Sequence, residues 1–127
     1  MSVPAQESQQ GWSPDPEAVE DWYFEMPLLG LGRIVGRQGL DKETGRLIEF
    51  AMTAQVNVGG RWWDVARVDT CHEEVHAHVL SQTGQTLSRS VLFPIRDPKD
   101  VDRGWQAGER KLVVDWEEHV RRWRSGR

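Results

Sequence analysis

The chain has 127 residues, 38% of them hydrophobic, and a formal net charge of −4. That length suits one domain with a single core. No apolar run could span a bilayer and no basic-then-apolar leader opens the chain, so the expectation is a soluble, cytoplasmic protein with no membrane partner. One cysteine, Cys71, excludes an internal disulfide framework and fits a reducing compartment.

The charge is unevenly spread. Residues 1–26 carry Glu7, Asp15, Glu17, Glu20, Asp21 and Glu25 and no base, which leaves fourteen acids against all sixteen bases in the remainder. A nearly neutral folded part argues against a protein that coats nucleic acid through bulk basic charge. It leaves room for a local basic patch.

Residues 1–14, rich in Ser, Gln and Pro, show no hydrophobic period and are expected to be mobile. Asp15-Pro16 has the chemistry of a helix start, so residues 1–26 read as an acidic, partly disordered arm with a short helix that Pro27 ends. Residues 27–127 read as a single α+β domain. Leu28–Gly39 carries Gly30, Gly32 and Gly36. Their G-x-G-x-x-x-G spacing is one residue too long for a dinucleotide loop and no helix pattern follows, so this is a glycine-bearing strand or loop.

Four strands follow, at Leu47–Val58, Arg61–Asp69, Val75–Ser81 and Thr86–Ile95. Gly59-Gly60 supplies the positive φ angles of a tight hairpin between the first two. Strand alternation puts Trp63, Val65, Arg67 and Asp69 on one face and Trp62, Asp64, Ala66 and Val68 on the other. Asp97-Pro98 opens a helix. Val101, Trp105, Gly108, Leu112, Trp116 and Trp123 then form one helical stripe to the end of the chain. The expected fold is an antiparallel β-meander of four to five strands with one long C-terminal helix packed on a face.

The chemistry gathers between Arg61 and Leu80, which holds three of the four histidines. Val75, Ala77 and Val79 form the core side of their strand, so His76 and His78 point the other way, roughly 7 Å apart. If the register brings Arg67 and Asp69 to the same face, both meet the two histidines near the turn that carries His72. A one-residue slip would undo this.

Three uses compete for the cluster. Zinc takes imidazole and carboxylate ligands, here through His72, His76 and His78. Metal-free acid–base chemistry on a phosphodiester would use histidines to take and give protons, Arg67 to steady the charged transition state and Asp69 to orient a histidine. The third use is structural, a polar face of a half-buried sheet. Cys71 reads as a small buried thiol rather than a nucleophile, and Asp64 as a solvent-facing acid.

The run Val58–His78, VGGRWWDVARVDTCHEEVHAH, resembles small uncharacterised prokaryotic proteins that share a core G-(K/R)-W-x-x-V-x-R-x-D-T-x-H-x-x-x-H-x-H. It is distantly similar to TumE-type toxins of toxin–antitoxin modules. The matching positions are Gly60, Arg61, Trp62, Val65, Arg67, Asp69, Thr70, His72, His76 and His78. Two positions depart: Val68 stands where tyrosine is common, and Glu73 replaces a usual glycine. The resemblance implies a toxin-like or regulatory role, with a protein antitoxin as partner. Combined with the residues, the expectation is a metal-independent ribonuclease acting through Arg67, Asp69, His72, His76 and His78. The alternatives are a zinc protein and a non-enzymatic module that docks a protein partner.

Overall fold

The computed structural model describes residues 14–127. The expectation of mobility for residues 1–13 lies outside this range. Six strands, β1 (Val19–Leu28), β2 (Gly32–Asp41), β3 (Leu47–Val58), β4 (Arg61–Cys71), β5 (Glu74–Leu80) and β6 (Thr86–Pro94), form one antiparallel sheet in sequence order. Two helices follow, α1 (Pro98–Val114) and α2 (Trp116–Ser125). Both pack on the same face of the sheet, α1 mainly over β3 and β4 and α2 over β5 and β4. The α+β class matches the sequence reading, but the sheet has six strands where four to five are expected, and two helices stand where one long helix is expected.

The first difference lies at the N-terminus. Asp15 does cap a turn, its Oδ1 accepting from the Glu17 N–H at 3.0 Å, but that turn is a 3-10 segment of three residues, Pro16–Ala18. Val19 to Leu28 then joins the sheet instead of standing apart as an acidic arm. Phe24, Met26 and Leu28 recur with period two and lie against the core, while Asp21, Tyr23 and Glu25 are exposed. Pro27 is tolerated because β1 is an edge strand.

The glycines of β2 permit close packing. A Cβ on Gly36 would collide with the Ala51 carbonyl and the Phe24 ring, and one on Gly32 would enter the Trp116 indole. The Gly59-Gly60 hairpin forms as expected, with φ of 64° and 80°. The β4–β5 connection is equally tight, but His72 (φ 50°) and Glu73 (φ 64°) hold its left-handed positions without glycine.

The helical stripe is broken. Asp115, at φ −93° and ψ 13°, separates α1 from α2. Asp97 caps α1, its Oδ1 accepting from the Lys99 N–H at 2.8 Å, and Gly126 closes α2 at φ 77°. Gly104 and Gly108 sit flat against the sheet: a Cβ on Gly104 would lie 2.6 Å from Val75 Cγ2, and one on Gly108 2.7 Å from Val68 Cγ1. Beneath the helices lies the core, with Phe50, Met52, Val65, Val68 and Val75 fully buried.

Candidate functional site

Because both helices cover one face, the other face of the sheet is left bare among the described residues, and alternation decides what it presents. A β-bulge resets that alternation in β4. Ala54 pairs with Ala66 and Gln55 with Asp64, so Val65 is the additional residue. Uninterrupted alternation put Trp63 with Arg67 and Asp64 opposite. The bulge exchanges them: Trp63 turns to the helices, 6.0 Å from the Trp123 ring, and Asp64 joins Arg67 and Asp69 on the bare face.

The register between β4 and β5 sets the remainder. Asp69 pairs with His76 and Arg67 with His78, so all four side chains share the bare face. They line a cleft of about 460 Å³ together with Asp64, Cys71, His72 and, from β6, Arg89. His72 reaches the cleft from the β4–β5 turn and is exposed. Cys71 is exposed as well, contrary to the expectation of a buried thiol, because it ends β4 at the rim.

Within the cleft the partners are specific. Arg67 Nε lies 2.8 Å from Asp69 Oδ2. Asp69 Oδ1 is buried and has no hydrogen-bond partner among the described residues, with His78 Nε2 at 3.9 Å the nearby imidazole nitrogen. His76 is 1% exposed. Its Nδ1 lies 2.9 Å from Arg89 Nη2 and its Nε2 2.9 Å from Glu74 Oε1. A guanidinium can only donate. The Arg89 contact therefore calls for an acceptor lone pair on His76 Nδ1, the tautomer that turns the ring N–H at Nε2 toward Glu74. The rings of His76 and His78 are 6.1 Å apart.

Burial lowers the pKa of His78, with the Arg67 and Arg89 guanidinium groups acting in the same direction and Asp69 opposing. His78 is therefore neutral near pH 7 with its side chain 22% exposed. Elsewhere on the bare face the cations are matched. Arg37 bridges Asp21 at 2.8 Å and Glu49 at 2.9 Å. Arg33 Nε donates to Gln55 at 2.8 Å, and Gln55 Nε2 to Asp64 Oδ1 at 2.7 Å.

All five residues singled out in the sequence thus line one cleft. Metal geometry divides them: one ligand atom each from Asp69, His76 and His78 lies within 4.8 Å of the others, a group that does not include His72. Arg89, Glu74 and Asp64 were not singled out as site residues. Arg89 enters through the register of β6, where it pairs with His78, and the sequence S-R-S carries no mark of that. Asp64 enters through the bulge.

Among the described residues no helix is long and apolar enough to cross a membrane. Comparison with known proteins gives one match. A family model described as a domain of unknown function covers residues 23–127, from within β1 to the last residue. Neither the curated proteins nor the solved structures contain a match.

Proposed function

The chain therefore belongs to that family, DUF7718, whose description assigns no reaction, and we propose from the cleft itself that the protein is a metal-independent ribonuclease. The observation that carries the reading is the cross-strand pairing of Arg67 with His78 and of Asp69 with His76 on one open face. The resemblance of the Arg67–His78 run to TumE-type proteins favours a toxin-like role, held in check by a protein antitoxin.

The reaction follows from the groups available. The 2′-hydroxyl of a ribose gives its proton to the free imidazole nitrogen of His78. Its oxygen bonds to the adjacent phosphorus as the bond from phosphorus to the 5′-oxygen breaks. His72, at the rim, returns a proton to the departing 5′-oxygen. The products are a 2′,3′-cyclic phosphate and a 5′-hydroxyl. Arg67 and Arg89 face the negative charge that builds on the phosphoryl oxygens. Asp69 fixes Arg67 by the 2.8 Å contact, and Glu74 and Arg89 fix His76 between β4 and β6.

A positioned acid or base contributes about 10²–10⁴-fold. Cleavage of a single-stranded RNA by the purified chain in chelator should therefore fall by roughly that factor in His78→Ala. An RNA with a single 2′-deoxy residue at the cut site should resist cleavage there. Unchanged cleavage by folded His78→Ala, or equal cutting of the deoxy-substituted site, refutes the reading.

A further inference from the structure

We propose that Asp69, His76 and His78 form a binding site for a zinc-like divalent metal, and that Arg89 occupies the place of the ion in the metal-free chain. Four observations converge on this set. The first is Asp69 Oδ1, a carboxylate oxygen buried without a hydrogen bond. Such an atom carries the cost of lost hydration and in native proteins points to a water or an ion. The second is the spacing, since one ligand atom from each of the three residues lies within 4.8 Å of the other two. Around a tetrahedral zinc, with bonds of about 2.0–2.1 Å, ligand atoms sit roughly 3.4 Å apart. The side chains must therefore close in by about 1.4 Å, within the reach of small side-chain rotations.

The third observation is the outer layer. Histidine ligands of metals usually give their second ring N–H to a carboxylate, and ligating carboxylates are themselves held by hydrogen bonds. His76 already gives its Nε2–H to Glu74 Oε1 at 2.9 Å. Asp69 has Oδ2 held by Arg67 at 2.8 Å, which leaves Oδ1 as the free donor. The supporting partners of a metal site are thus in place around an Asp–His–His set. The fourth observation is Arg89. Its guanidinium stands 2.9 Å from His76 Nδ1, the nitrogen that carries the lone pair. The position already attracts a cation, and Arg89 is an exposed residue on an edge strand. Three protein ligands leave a fourth position open to the cleft.

Binding would have a consequence for the reaction proposed above, and that consequence rests on it. Zinc on His78 uses the lone pair that takes the 2′-hydroxyl proton, so the ion would act as a reversible inhibitor.

Calorimetric titration of the full chain with zinc, and visible absorption on titration with cobalt(II), test the site without RNA. The expected result is one ion per chain and a tetrahedral cobalt spectrum. His78→Ala should weaken zinc by roughly 100-fold or more, and Glu74→Gln by about 10- to 100-fold. Arg89→Ala should tighten it by roughly tenfold, since the competing cation is gone. Far-ultraviolet dichroism confirms that each variant is folded, and Arg89→Ala, altered only at the surface, keeps the test usable if another variant unfolds. No zinc uptake by either wild type or Arg89→Ala overturns the proposal. So does binding unchanged in His78→Ala, or an equal loss in His72→Ala. Because uptake is read without RNA and cleavage is read in chelator, the site and the ribonuclease reaction can each fail alone.

Discussion

Replacing Gly108 by alanine tests how tightly the helical layer is pressed against the back of the cleft strands. In an exposed helix this change stabilises by about 1 kcal/mol. Here the new Cβ would meet Val68 Cγ1 at 2.7 Å, Met52 Cε at 2.9 Å and Val68 Cβ at 3.2 Å. Met52 can move its terminal methyl, but Val68 is β-branched, fully buried and fixed in the centre of β4. Overpacking of this kind costs about 1–3 kcal/mol. Set against the helical gain, the net expectation is a loss of roughly 1 kcal/mol, up to about 2. Urea denaturation followed by tryptophan fluorescence should show the midpoint lowered by roughly 0.5 M, for a slope of about 2 kcal/mol/M. Val68 lies between Arg67 and Asp69, so the strain should also reduce the proposed RNA cleavage more than stability alone explains. A midpoint raised by the full helical gain would refute the close-approach argument.

Two further outcomes follow from local geometry. Glu73 holds a left-handed turn position that costs an L-residue roughly 1–2 kcal/mol, and its backbone carbonyl, which accepts from the Ile95 N–H at 2.7 Å, survives substitution. After the entropy cost of glycine, Glu73→Gly should stabilise by about 0.5–1 kcal/mol in thermal or urea unfolding; destabilisation would count against the turn assignment. His119 on α2 is 4% exposed, and its Nδ1 is buried without a hydrogen-bond partner among the described residues. Burial lowers its pKa, with Lys111 and Arg122 acting in the same direction and Asp115 and Glu118 opposing. The unfolded chain then takes up this proton at a higher pH than the folded one. The contribution is complete above the unfolded value near 6.5 and is lost as pH falls through it, levelling once the folded state is also protonated. The stability difference between wild type and His119→Leu should therefore shift against wild type as pH drops from about 7.5 to 5. A pH-independent difference would show that His119 is not held neutral.

Where local chemistry decided the structure, the sequence was readable. Gly59-Gly60 marked its hairpin, Asp97-Pro98 marked the start of α1, and the alternation of Val75, Ala77 and Val79 placed His76 and His78 on the bare face. It was unreadable where long-range pairing or one extra residue decided. Residues 19–28 alternate as a strand, but the Asp15-Pro16 cap gave the segment a helical look that ended after three residues. Val65 fits either face by composition, so nothing in the sequence marks it as the bulge that sends Asp64 to the cleft. The stripe of α1 continues in phase through Asp115, which hides the break there. Arg89 lies thirteen residues from His76 in sequence and meets it only through sheet register.

The one-sided covering of the sheet has a consequence for variation along β4 and β5. Adjacent codons there serve unrelated demands. Val68, Val75 and Ala77 answer to the packing beneath the helices, while Arg67, Asp69, His76 and His78 answer to the cleft. A saturation library scored separately for abundance and for activity should give two interleaved sawtooth profiles, each peaking where the other dips. Their phase should slip by one residue at Val65.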